Sequence, residues 1–284
     1  MKSLFKSEAG KKKIIDLYDE KLESLTIDYH YETVDTKYGK TNVIVTGDAT
    51  KPPMILVHGS NGSAPIALET CQNLHKKYRL YAVDVLAQPN KSEGTRLNMK
   101  DDSYGEWMTE VINHFSFDSV EMAGFSFGGL VILKTLEYDE SKVKEVYLSA
   151  PAYIANGSQL KALFKFFIPM KRYMKTKKQK YVEKFLDEVF TKKDEFAINQ
   201  LSLVFLEFEM DFTPVPVIDA KKAKEIKTPI TIFAAKDDII FPGKKMLKRA
   251  SKIFPSLKHT VLIEDSKHVQ NSAQNEMIEE VILK

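Results

Sequence analysis

Ser119-Val-Glu-Met-Ala-Gly-Phe-Ser-Phe-Gly-Gly-Leu-Val-Ile-Leu-Lys-Thr-Leu-Glu-Tyr138 is the stretch from which the rest of the chain is read. Ser119–Ala123 reads as a short buried strand. Gly129–Tyr138 reads as a helix, with apolar residues at helical spacing. Between them stands Gly124-Phe125-Ser126-Phe127-Gly128. Strand, sharp turn and helix in this order form a nucleophile elbow, which holds the serine in a strained backbone conformation and lifts its hydroxyl above the sheet edge. Gly124 and Gly128 fit a turn too tight for side chains beside the serine.

Working outward, the pattern alternates. Strands are expected at Met54–His58, Arg79–Asp84, Ser119–Ala123, Lys144–Ser149, Pro229–Ala234 and Lys258–Ile263. Helices are expected near Ala64–Lys77, Ser103–Phe115, Phe127–Glu140, Lys244–Ile253 and Gln270–Leu283. Two further strands, Ile27–Asp35 and Thr41–Thr46, flank a turn at Tyr38-Gly39-Lys40, and an amphipathic helix spans Ser7–Leu25. This order predicts an α/β fold, a mostly parallel, doubly wound sheet of about eight strands covered by helices on both faces. One stretch breaks the rhythm. Roughly 75 residues separate the strand ending near Ala150 from the one at Pro229, far more than a crossover needs. Ser158–Met174, Lys178–Phe190 and Lys193–Glu209 within it show helical spacing. The expected organisation is a core of residues 1–151 and 225–284, with residues 1–25 as an N-terminal helix. Residues 152–224 are an inserted helical cap over the sheet's C-terminal edge, where open α/β sheets bind ligands.

Bulk properties exclude several classes. A chain of 284 residues accommodates one such domain with an insertion. The formal charge of +3 is too small to imply nucleic acid as a partner. The single cysteine, Cys71, excludes a disulfide framework. The opening Met-Lys-Ser-Leu-Phe-Lys-Ser-Glu lacks the apolar region of a signal peptide, and no window reaches the length of a membrane span, so the expected location is cytoplasmic. No His/Cys/Asp/Glu cluster has metal-ligand spacing, and no metal is expected.

A serine hydroxyl is a poor nucleophile at neutral pH and needs a base within hydrogen-bond reach and a third group to orient that base. His268 follows the strand Lys258–Ile263 from its C-terminal end and is the expected base. His30, His75 and His114 read as surface or core residues, His259 starts its strand at the wrong end of the sheet, and His58 reads as shaping its loop. The acid should follow the preceding strand. Its exit loop is Lys236-Asp237-Asp238-Ile-Ile-Phe-Pro242. Asp237 is preferred, because the usual G-x-x-D loop pattern places its acid there if Ala234 occupies the glycine position. Asp238 is the alternative. Two backbone N–H groups should form an oxyanion hole: Phe127, directly after the serine, and Ser60, in the loop Gly59–Gly62.

These residues resemble the α/β-hydrolase superfamily over most of the chain outside the cap. The resemblance is carried by the His58-Gly59 loop, Asp84 with Ser92, Gly124-x-Ser126-x-Gly128-Gly129, the Asp237 loop and His268. The opening, with Phe5-Lys-Ser-Glu-Ala-Gly-Lys, Tyr18-Asp, Thr36-Lys-Tyr-Gly-Lys-Thr and Pro52-Pro53, is similar to a group of bacterial α/β hydrolases without a settled substrate. Two loops depart from the family pattern. Ala87 and Asn90 stand where glycines are usual; Asn tolerates a left-handed backbone, while Ala87 is expected to alter the loop's approach to the site. Ala234 replaces the glycine of the acid loop. The resemblance implies cofactor-free hydrolysis of a small or medium acyl ester, a small-molecule substrate. Alternatives on the same triad are carbon–carbon bond hydrolysis, acyl transfer and perhydrolysis, and a ligand-binding homologue is the non-catalytic alternative. Serine at the nucleophile position argues against dehalogenase and epoxide hydrolase chemistry. Oligomeric state is not legible.

The cap adds a charge pattern. Between Gln159 and Val182 stand Lys161, Lys165, Lys171, Arg172, Lys175, Lys177, Lys178 and Lys180, with no acidic residue, interleaved with Leu160, Leu163, Phe164, Phe166 and Phe167. The simpler reading is a solvated basic face on a helix that covers the pocket. The sharper one is a weak contact with anionic lipid or an acidic acyl substrate.

Overall fold

Strands rich in Val, Ile, Leu and Ala, without polar alternation, can be satisfied only by a sheet covered on both faces. In the computed structural model, which describes residues 3–284, such runs are β3 (Pro53–Val57), β4 (Arg79–Val83), β5 (Val120–Phe125), β6 (Val143–Ser149) and β7 (Ile230–Ala235). They lie inside an eight-stranded sheet of order β1-β2-β4-β3-β5-β6-β7-β8. The hairpin β1 (Tyr29–Thr36) and β2 (Gly39–Thr46) is antiparallel, and β2 meets β4 antiparallel. All pairings from β4 through to β8 (Leu257–Ile263) are parallel.

Two apolar layers flank the sheet. On one face α3 (Ser103–His114), α4 (Phe127–Tyr138) and α10 (Gly243–Ile253) bury Trp107, Val111, Leu130, Leu133 and Met246. On the other α1 (Glu8–Ser24), α2 (Ala64–Thr70) and α11 (Ser272–Leu283) bury Tyr18, Leu22, Leu68 and Ile282. Ser7 caps α1 by accepting from Gly10 N–H, and Asn271 with Gln274 forms a capping box on α11. Met1 and Lys2, part of the expected 1–25 segment, lie outside the described residues. No helix among the described residues is long and apolar enough to cross a membrane.

Two expectations are corrected. The helix expected over Ala64–Lys77 breaks at Cys71 (φ −127°, ψ 31°) into α2 and a 3₁₀ turn, Gln72–Lys76. There the Asn73 N–H and side-chain amide both bind the Glu279 carboxylate of α11. The helix expected over Ser158–Met174 is α5 (Gln159–Ala162), a π-helical turn over Leu163–Phe167, and α6 (Ile168–Thr176). Pro169 cannot donate to the preceding turn and its ring displaces a carbonyl there, which accounts for the widened turn. Ala152–Ala155, Ile218 and Ala223 pack into the main core. Within the stretch expected to form a cap, a separate cluster is made by Met170, Tyr173, Val182, Leu186, Ala197, Ile198 and Phe205, from α6, α7 (Lys180–Val189) and α8 (Glu195–Glu207). The short α9 (Ala220–Glu225) also packs against the main core, through Ala223. The stretch expected to form a cap also rests on the N-terminal segment, through a Phe5–Phe208 bridge and edge-to-face rings 5.2 Å apart.

Candidate active site

The turn from β5 into α4 sets the geometry. Ser126 has φ 53° and ψ −113°, a region that costs a non-glycine residue on the order of 1–3 kcal/mol. That conformation is held from several sides. Ser126 N–H donates to Ser149 O at 2.9 Å, and its carbonyl accepts from Gly129 and Ala152 N–H, each at 2.9 Å. Gly128 must be glycine, since a Cβ there would stand 2.1 Å from the Val57 carbonyl oxygen.

His268 leaves the end of β8 and turns back over the elbow. Its Nε2 lies 2.9 Å from Ser126 Oγ and its Nδ1 2.7 Å from Asp238 Oδ2. A carboxylate can only accept, so Nδ1 carries the proton and Nε2 offers its lone pair to the serine hydroxyl. The ring sits between Phe125 and Phe241, with centroids 5.2 and 5.5 Å away. All three polar side chains are buried.

The acid on His268 is Asp238, not the preferred Asp237. Asp237 N–H pairs with Ser266 O at 2.9 Å and its side chain is exposed. Asp238 points inward, where its Oδ1 accepts from Ile240 and Phe241 N–H at 2.7 and 3.0 Å. Burial pushes its pKa up, but His268 and these two donors outweigh that and hold the carboxyl below the usual carboxylate range.

The loop after β3 adjoins the serine, since a Cβ on Gly59 would come within 3.3 Å of Ser126 Cβ. His58 sets the orientation of this loop. Its Nδ1–H donates to Gly59 O at 2.7 Å, and its Nε2 accepts from Val85 N–H at 3.0 Å. Gly59 O also takes Gly62 N–H at 3.1 Å. In a trans peptide the N–H opposes the C=O, so the Ser60 N–H is turned away from His58. Burial lowers the His58 pKa to about 4, against the pull of its Gly59 bond, which keeps the ring neutral and this tautomer in place. The sequence reading of His58 as a loop-shaping residue agrees with these contacts.

Ser60 is exposed, and Phe127 opens α4 directly beside the elbow. Two residues without a sequence signal join this loop: Gln88, whose Oε1 accepts from Asn61 N–H at 2.8 Å, and Gln200, whose amide reaches Asn61 O at 3.2 Å. Nothing in composition or spacing marks either. In the 84–92 loop the left-handed residue is Ala87, at φ 57°, rather than Asn90. Asn90 instead donates its amide to Val85 O at 3.0 Å and reaches His58 Nε2.

Asp84 fixes the far end of the Gly59 loop. It accepts from Ala64 N–H at 2.7 Å, Tyr18 OH at 2.9 Å and the Asn42 amide at 2.8 Å, while Ser92 Oγ donates to its backbone carbonyl. Burial dominates and raises its pKa to about 6 despite these donors. The folded protein therefore holds this proton to higher pH than the unfolded chain. The stability contribution is complete below the ordinary value of 3.8 and is lost as pH rises through about 6. Urea unfolding of wild type and Asp84→Asn between pH 4 and 7 should show a component worth up to about 3 kcal/mol in wild type alone. Parallel curves would remove the assignment, whatever the offset between them.

The family model for the alpha/beta hydrolase fold matches residues 52–202, more than half of the chain, including the elbow and the Gly59 loop. The chain belongs to the α/β-hydrolase family. Among curated proteins, this α/β hydrolase is 23% identical over 262 residues to the uncharacterized carboxylesterase nap of Bacillus subtilis, covering 88% of this chain and 84% of that protein. Carboxylesterase YbfK of Bacillus subtilis is 29% identical over 135 residues, covering 48% and 46%. Among solved structures, naproxen esterase (carboxylesterase NP) from Bacillus subtilis superposes with a TM-score of 0.84 at 22% identity, covering 98% of each chain. Within this hydrolase the described residues contain no group of three or more His, Cys, Asp or Glu placed to hold a metal ion.

Proposed function

We propose that the protein is a serine ester hydrolase that cleaves small or medium acyl esters through an acyl-enzyme. The observation that carries this reading is the continuous bond path from Ser126 Oγ through His268 to Asp238, seated on a strained elbow. In this reading Ser126 Oγ attacks the ester carbonyl carbon while His268 Nε2 takes its proton. The Phe127 and Ser60 N–H groups hold the oxyanion, and the partial positive charge at the start of α4 adds to the first of them. Collapse of the tetrahedral species breaks the carbon–alkoxy bond, and His268 returns the proton to the leaving alcohol. Water then attacks the acyl carbon, with its proton passing to His268 and on to Ser126 Oγ, and the acid leaves. Asp238 keeps the imidazole in the required tautomer and stabilises its cation at both stages. The carboxylesterase names of the Bacillus subtilis relatives support ester hydrolysis over the carbon–carbon, acyl-transfer, perhydrolase and non-catalytic readings.

Substrate size is supported by an apolar cavity of about 110 Å³ behind the elbow. Gly59, Phe125, Val269 and Gln270, close in the chain to the site, line it together with Ala67 and Ile278. A cavity of this order accommodates a small apolar group. A second observation favours esters at a lipid surface. Leu160, Leu163 and Phe164, at helical spacing, are 66%, 46% and 58% exposed on the cap beside its lysines. Hydrolysis of p-nitrophenyl esters of increasing acyl length should peak at short to medium chains. The same series dispersed in vesicles should accelerate with anionic lipid and slow with salt. No ester turnover at any length would overturn the esterase reading, and salt-independent rates on anionic vesicles would remove the lipid contact.

A further inference from the structure

The base of the catalytic set is held partly by the cap. The connection between α7 and α8 runs beside the loop that carries His268, and Phe190 pairs with Val269 as a short parallel bridge. Val269 N–H donates to Val189 O at 2.9 Å, and Thr191 N–H donates to Val269 O at 2.9 Å. The Thr191 hydroxyl completes the connection. It donates to Val269 O at 2.8 Å and accepts from Lys267 N–H at 3.0 Å. One side chain of the cap therefore bonds the residues on both sides of His268. On the core side, His268 O accepts from the Gln270 amide at 3.1 Å, and Gln270 in turn accepts from Ser149 Oγ at the end of β6.

We propose that Thr191 is a positioning residue that fixes the His268 imidazole over Ser126, so that the cap sets the geometry of the base as well as covering the site. The proposal rests on the catalytic reading of His268. The hydroxyl uses its single proton on one neighbour of His268 and a lone pair on the other, an arrangement that serine can reproduce and valine cannot. Phe125 and Phe241 flank the ring, but rings in van der Waals contact allow it to slide. The direction of Nε2 toward Ser126 Oγ depends on where the backbone of residues 267–269 is pinned. A misplacement of about 1 Å at a catalytic group can cost roughly 10²-fold in rate.

The test compares Thr191→Val, Thr191→Ser and wild type by steady-state kinetics on the best p-nitrophenyl ester. Thr191→Val should lower kcat about 10- to 100-fold with little change in KM, and Thr191→Ser should restore the wild-type value. In parallel, NMR on Ser126→Ala proteins should show the low-field His268 Nδ1–H signal in the otherwise wild-type chain and in Thr191→Ser. That signal should be weakened or moved in Thr191→Val. If Thr191→Val does not fold, Thr191→Ala removes the same two bonds and takes its place. Unchanged kcat and an unchanged proton signal in a folded Thr191→Val or Thr191→Ala would overturn the proposal. So would equal losses in the serine and valine variants. If wild type cleaves no ester, the esterase reading fails by itself, while the proton signal still decides whether Thr191 holds His268.

Discussion

Asp238→Asn is expected to lower kcat/KM for a p-nitrophenyl ester by roughly 10⁴-fold, while Asp237→Asn stays near wild type. The size of the first effect follows from which atom faces the histidine. Oδ1 of Asp238 sits against the Ile240 and Phe241 N–H groups, a place that an amide nitrogen cannot occupy. An asparagine would therefore keep its oxygen there and turn its NH₂ toward His268 Nδ1. Nδ1 must then accept, the ring proton moves to Nε2, and the base presents a proton to Ser126 where it needs a lone pair. The fold need not suffer, because the two backbone donors keep their acceptor. Asp237 makes no contact with His268 through its exposed side chain, so its amide should be silent. Equal losses in the two variants, or a larger loss in Asp237→Asn, would contradict the assignment of the acid.

The contrast between those two aspartates shows where sequence reasoning reaches its resolution. The strands along the chain, the elbow and the place of His268 were legible because each rests on a strong local signal: an apolar run, a glycine-framed serine, a histidine after the last strand. The acid was not, because the loop offers two alanines followed after one lysine by two aspartates. With Ala234 in the glycine position the pattern counts to Asp237; with Ala235, to Asp238. Only the end of β7 at Ala235 and the inward turn of the next residues settle the register. The helix breaks at Cys71 and over Leu163–Phe167 were hidden for a related reason. Apolar spacing there continues through the break; what accompanies it is a contact from Asn73 to a distant Glu279 carboxylate and a proline whose effect falls one turn earlier. The Thr191 contact was invisible, since residues 191 and 269 are far apart in the chain and neither belongs to a motif.

Ser126→Ala carries the largest expected loss, on the order of 10⁶-fold in kcat. In the proposed mechanism, removing Oγ eliminates the covalent intermediate and leaves only what orientation and charge stabilisation can give. The protein should fold as before. The elbow's strain resides in the Ser126 backbone, held by Ser149, Gly129 and Ala152, and alanine in the same conformation keeps every one of those bonds. The most direct measurement is mass spectrometry of the folded protein after treatment with a fluorophosphonate. The account predicts one adduct per chain, located on the peptide that contains Ser126, lost in Ser126→Ala and strongly slowed in Asp238→Asn. An unlabelled folded wild type, an adduct on another residue, or undiminished labelling of Ser126→Ala would contradict it.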